Sequence, residues 1–74
     1  MLKKRSLSLA GHATSLALEP EFWAVLDAMA ENEGLSLPEL IGRIDEERGP
    51  SLLASACRVR ALAWVQQQGG GRST

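Results

Sequence analysis

Apolar and polar residues alternate from Ala13 to Leu18: Thr14, Leu16 and Leu18 fall on one side, Ala13, Ser15 and Ala17 on the other. A two-residue period with one apolar side predicts a strand with one buried face. At Pro20 the period changes. Proline cannot donate to a ladder but suits the first turn of a helix, and Phe22, Trp23, Leu26, Met29 and Ala30 follow at spacings of three and four. These predict an amphipathic helix over about 20–33, with Glu21 in its first turn, Gly34 as a left-handed C-cap and Leu35 folding back in a Schellman contact. Ser36-Leu37-Pro38-Glu39 has the form of a capping box. It opens a second helix with Leu37, Leu40, Ile41 and Ile44 on its apolar face, ending near Arg48 before Gly49-Pro50. Ser51 is then placed to cap a third helix, from about Leu52 to Gln67, apolar almost all round. Such a helix expects contacts on more than one side.

The first residues are less decided. Leu7 and Leu9 alternate with Ser6, Ser8 and Ala10, and Gly11-His12 stands as a break or bulge before the main strand. Residues 1–12 are therefore a basic N-terminal arm or an extra strand, residues 13–67 the helical domain, and residues 68–74 a flexible, glycine-rich tail. The chain is expected to be mostly α with one short strand, and a strand needs a partner.

Length sharpens that need. Seventy-four residues make one domain that buries too little surface to be comfortable alone. With Cys57 the only cysteine and His12 the only histidine, neither an internal disulfide nor a four-ligand zinc site can staple it. Oligomerisation remains, and a homodimer is the expectation. A hydrophobic fraction of 45% excludes disorder, and no apolar run approaches a membrane span. The basic start Met1-Leu2-Lys3-Lys4-Arg5 is not followed by the apolar core of a signal peptide, which points to a cytoplasmic protein.

A net charge of −1 argues against a generic nucleic-acid coat, but the charges are uneven. Lys3, Lys4 and Arg5 stand together at the start, whereas all nine carboxylates lie between Glu19 and Glu47. The strand's outward positions are Ala13, Ser15 and Ala17, of which only Ser15 can hydrogen-bond a base edge. Lys3, Lys4, Arg5 and His12 form the alternative anion-binding set. Arg58 and Arg60 lie about 200° apart on the third helix, one placed to pair with the Asp45-Glu46-Glu47 cluster. Trp23 and Trp64 fit core or interface anchors, and Cys57 inert packing. An enzyme lacks its parts: there is no nucleophile–base set, phosphate loop or metal spacing, and no cofactor is expected.

The order Lys4-Arg5-Ser6, Gly11-His12, Thr14-Ser15, Phe22-Trp23 and Leu35-Ser36, with a strand running into Pro-Glu-Phe-Trp and a second helix beginning Leu-Pro-Glu-Leu-Ile, resembles the ribbon-helix-helix proteins of the Arc and MetJ class, in particular a small bacterial branch with an added third helix. The resemblance covers nearly all of the chain to about residue 65. It implies an intertwined homodimer with an intermolecular antiparallel β-ribbon and a shared helical core, to which Leu16, Leu18, Trp23, Ile41, Ile44 and Trp64 would contribute. It also implies a transcriptional regulator whose ribbon enters the major groove of double-stranded DNA. The second helix start, Ser36 and Leu37, would then bind a phosphate. A protein-interaction or scaffold dimer that keeps the fold without reading DNA is the competing expectation.

Overall fold

The computed structural model describes residues 1–70, in the order β1 (Lys3–Leu9), β2 (His12–Leu18), α1 (Pro20–Glu33), α2 (Leu37–Glu47) and α3 (Leu53–Gly70). Of the two alternatives for the first residues the extra strand is the one formed, so the chain has two strands rather than one. Residues 3–9 pair antiparallel with residues 12–18 of the same chain, with Lys3 opposite Leu18, Ser6 opposite Ser15 and Leu9 opposite His12. The turn is Ala10-Gly11, with φ of 51° and 82°. Positive φ at both central residues gives the primed turn whose twist matches two right-twisted strands. Gly11 takes the second position without steric cost; Ala10 does not, and alanine carries no turn signature.

Pairing puts Leu7, Leu9, Leu16 and Leu18 on one side of the hairpin, all buried against the helices. Each fully buried leucine contributes about 1.5–3 kcal/mol relative to exposure. The helices supply the rest of the core: Trp23, Leu26, Met29 and Ala30 from α1, Leu40, Ile41 and Ile44 from α2, and Cys57 and Ala61 from α3. Leu16, Leu18, Trp23, Ile41 and Ile44 were expected between chains; here they are buried within one chain, and Trp64 packs partly buried against them. β1 contributes two leucines to this core and a ladder to β2.

The helix boundaries follow the local chemistry. Gly34 is left-handed at φ 70°, and its N–H and that of Leu35 donate to the Glu31 and Ala30 carbonyls, the Schellman pair. The Ser36 hydroxyl accepts from the Glu39 N–H at 3.2 Å while the Ser36 N–H donates to Glu39 Oε1 at 2.8 Å, the complete capping box. The third helix start is corrected by one residue. The Leu52 carbonyl accepts the first helical bond, from the Ala56 N–H, and the Ser51 carbonyl accepts instead from the Arg48 guanidinium. Of the expected flexible tail, Gln68–Gly70 continue α3 and residues 71–74 lie outside the described residues. No helix among the described residues is long and apolar enough to cross a membrane.

Candidate nucleic-acid interface

The hairpin has a second face. Because side chains alternate, burying the leucines turns Lys4, Ser6, Ser8, Ala13, Ser15 and Ala17 together to the other side. All are exposed except Ala17, which is half-buried. The register sets Lys4 opposite Ala17, Ser6 opposite Ser15 and Ser8 opposite Ala13. The result is a surface two strands wide, built mostly of small side chains, with three hydroxyls and one ammonium. Ser6 and Ser8 were not singled out from the sequence, although the alternation of Ser6-Leu7-Ser8-Leu9 carries the signal once β1 is accepted as a strand.

The structure thus divides the expected anion-binding set. Lys4 joins Ala13, Ser15 and Ala17 on the outer face. Lys3, Arg5 and His12 have the parity of the leucine face. Arg5 is committed there: its two terminal nitrogens donate to Asp27 Oδ1 and Oδ2 at 3.1 and 3.3 Å, and its guanidinium lies 4.5 Å from the Trp23 ring centroid. Trp23 itself donates from Nε1 to the Lys3 carbonyl at 2.8 Å. A single α1 turn therefore clasps β1 by a hydrogen bond, a cation–π contact and an ion pair.

The α2 start offers less than a bare helix terminus. The Glu39 carboxylate occupies the Ser36 amide, the Ser36 hydroxyl occupies the Glu39 amide, and Pro38 has none. Of the expected phosphate contacts, Leu37 alone keeps an amide that the capping box does not use. Hydrogen bonds from the Ser36 backbone and side chain hold the Glu39 carboxyl below its ordinary value of 4.5, so it is ionised where a phosphate would have to sit.

Charge is sorted along the molecule. The hairpin carries Lys3, Lys4 and Arg5 and no carboxylate, while every Asp and Glu is on α1, α2 or the residue before α1. Four of those carboxylates are tied to arginines: Asp27 to Arg5, Asp45 to Arg48, Glu19 to Arg58 and Glu47 to Arg60. Glu19 accepts twice from Arg58, at 2.9 and 3.2 Å, and that guanidinium holds its carboxyl below the usual range. Both third-helix arginines are thus paired, one with the Glu47 cluster as expected and the other with the residue that joins β2 to α1. Among the described residues Lys3, Lys4 and Arg43 are in no ion pair, and no three His, Cys, Asp or Glu side chains gather as a metal site requires. Cys57 is buried, and burial pushes its thiol up to about 11, which leaves it unreactive.

A family model described as a ribbon-helix-helix domain matches residues 2–65. A solved structure, an uncharacterized protein from Bordetella pertussis Tohama I, superposes with a TM-score of 0.84 at 38% identity over 97% of this chain. The chain spans 62% of that protein's length. No curated protein matches.

Proposed function

Because the chain belongs to the ribbon-helix-helix family, we propose that it binds double-stranded DNA as a homodimer, through the outer face of its hairpin, and acts as a transcriptional regulator rather than an enzyme. One observation carries this: Lys4, Ser6, Ser8, Ala13, Ser15 and the half-buried Ala17 form a carboxylate-free outer surface on the hairpin, beside Lys3 and Arg5. Two strands about 4.8 Å apart fit a major groove about 12 Å wide. Small side chains let the backbone approach the base edges. Serine hydroxyls accept or donate to any base, and alanine methyls suit thymine methyls. The nine carboxylates on the helical side repel phosphates and leave only the hairpin end to approach.

The same face sets the character of the binding. It holds no Arg, Asn or Gln, the side chains that read a base with two hydrogen bonds, so discrimination between sequences is shallow. Lys3 and Lys4 give two phosphate-binding cations per chain and four per dimer, for a log K against log salt slope of about −3 to −4. Fluorescence anisotropy with mixed genomic fragments between roughly 50 and 200 mM salt measures that slope. Absence of binding at the low end would overturn the assignment. It would leave the protein-interaction dimer, which the lack of bidentate base readers favours.

A further inference from the structure

The outer face of the hairpin offers hydroxyls, methyls and one ammonium, and these differ in what they can tell about a base pair. The hydroxyls of Ser6, Ser8 and Ser15 rotate and can donate or accept, so they suit any base edge and select none. The Lys4 ammonium is a point charge on a flexible stem, suited to phosphates, which carry no sequence. The remaining chemistry is apolar. On β2, Ala13 is exposed and Ala17 half-buried, with Ser15 between them. Ser8 and Lys4 stand opposite the two alanines on β1. In a major groove the apolar mark on a base edge is the C5-methyl group of thymine.

We infer that Ala13 and Ala17 make this face a reader of C5-methyl groups, so that its ligand is thymine-bearing duplex DNA and 5-methylcytosine can stand in for thymine. The inference rests on DNA binding by the hairpin, as proposed above, and adds what the face selects. Reach supports it: short side chains at Ala13, Ser15 and Ala17 let β2 lie close to the groove floor, where the methyl groups are. Spacing supports it too. A strand rises about 3.4 Å per residue and DNA about 3.4 Å per base pair, so the two alanines meet bases roughly three to four steps apart. Charge does not oppose the approach, since neither strand of the hairpin has a carboxylate and Lys3 and Lys4 are in no ion pair. Double-stranded RNA fails on two counts. Its major groove is deep and narrow, closed to side chains, and its uracil lacks the methyl group.

Against thymine, an alanine methyl and the base methyl shield each other from water. Against cytosine, the same alanine faces a C–H edge across a gap the width of a methyl group. One buried methyl group is worth about four-fold in affinity, so the two alanines of one chain give roughly 15-fold. A methylated cytosine presents the same group on the same ring carbon. Its methylation within the bound site therefore tightens binding by the same factor, and the face responds to modification of DNA as well as to its sequence.

The test is fluorescence anisotropy of the full chain at about 50 mM salt with one mixed-sequence duplex in three forms. The first is ordinary DNA. The second has deoxyuridine for every thymine, which keeps each hydrogen-bonding group and removes each methyl. The third is the deoxyuridine duplex with 5-methylcytosine for every cytosine. The expected result is binding to ordinary DNA roughly 15-fold tighter than to the deoxyuridine form, with the loss made good in the third. Ala13→Gly, at an exposed position, is expected to cut the preference about four-fold with an unchanged circular dichroism spectrum. The three duplexes are compared on the wild-type chain, so the outcome does not depend on how well that variant folds. Equal binding to all three forms overturns the inference and leaves DNA binding standing. A preference for thymine that 5-methylcytosine does not restore overturns it as well, because groove shape would then account for the difference. So does a preference undiminished in a folded Ala13→Gly. Absence of binding to every form overturns the inference together with the function it rests on.

Discussion

The hairpin and α3 are built alike on the inside and differently on the outside. Each lays apolar side chains on the common core: Leu7, Leu9, Leu16 and Leu18 from the hairpin, Cys57 and Ala61 from α3. Outside, the hairpin shows serines, alanines and one lysine, and α3 shows Leu52, Val59 and Leu62. A surface of small polar groups rests in water at no cost, and it gains by meeting a polar, charged groove. A surface of leucine and valine loses in water and gains by meeting another apolar surface. The difference gives the two regions different chemistry to offer a partner. Changes to the hairpin's outer face should act on ligand binding and leave folding alone. Changes to the shared inside should unfold both.

The largest effect is expected where the two regions join. Trp23 fills the space between the hairpin and α1 at 2% exposure and holds the Lys3 carbonyl. Trp23→Ala removes that volume and costs about 3–5 kcal/mol. A chain of this length has roughly 4–11 kcal/mol in all. Urea denaturation followed by circular dichroism should show the midpoint collapse, with hairpin and helices lost in one transition. A variant whose helices survive alone would break the comparison, because the two regions would then not share a core.

Next comes the turn. Gly11 at φ 82° has open space where a Cβ would stand, so Gly11→Ala tests backbone conformation and nothing else. The left-handed conformation costs about 1–2 kcal/mol for alanine. Asn in place of Ala10 should raise stability, since Asn-Gly is the sequence this turn prefers. Thermal melts of both variants check the pair of signs, and a Gly11→Ala protein as stable as wild type would mean the hairpin adds nothing.

This turn also marks how far the sequence was legible. The helices were: a glycine C-cap, a capping box and proline punctuation are local chemistry, and Gly34, Ser36-Glu39 and Gly49-Pro50 sit where their residue types demand. The strand at Ala13–Leu18 was legible too, because its alternation is strict. Its partner was legible only as one of two alternatives, an extra strand or a basic arm. The type I′ turn is carried half by Ala10, a residue with no turn signature, and Lys3-Lys4-Arg5 obscured the period of β1. Leu16, Leu18, Trp23, Ile41 and Ile44 are buried in one core within the chain, as their apolar spacing requires. The outer face was half legible, as Ala13, Ser15 and Ala17 without Ser6 and Ser8. The commitment of Arg5 to Asp27 and Trp23, 22 and 18 residues away, is tertiary and has no local sign.

On the helical side the expected effects are smaller. Ser36→Ala removes the α2 cap and costs about 1 kcal/mol. Its partner adds a pH dependence of definite sign. The Glu39 carboxyl is held below 4.5 in the folded chain, so its contribution is complete above that pH and is lost as pH falls through the lowered folded value. Glu39→Gln keeps an oxygen to accept from the Ser36 amide but cannot titrate. The variant should therefore lose less stability than wild type between about pH 5 and pH 3, measured by urea midpoints. Parallel curves would remove the capping box from the acid response. The surface proposed to meet DNA lies on the hairpin, so neither change should alter the salt slope of binding.

Arg5 gives the smallest and most discriminating effect, because by sequence it belongs with Lys3 and Lys4 and by structure with α1. Its ion pair with Asp27 is exposed, and such pairs contribute at most about 1 kcal/mol. Its contact with Trp23 adds about 0.5–1 kcal/mol. Arg5→Ala should lower stability by that small sum and leave the salt slope of DNA binding where it was. Lys4→Ala should do the reverse: no change in the melt, and a slope shallower by about 1 for each Lys4 engaged. Measuring melts and slopes for the two variants side by side separates the faces of one strand. If Arg5→Ala flattened the slope and Lys4→Ala did not, DNA would be meeting the side of β1 that carries the leucines, and the outer face would lose its role. If both flattened it, the ion pair with Asp27 would be opening on binding, and the clasp between hairpin and α1 would itself respond to DNA.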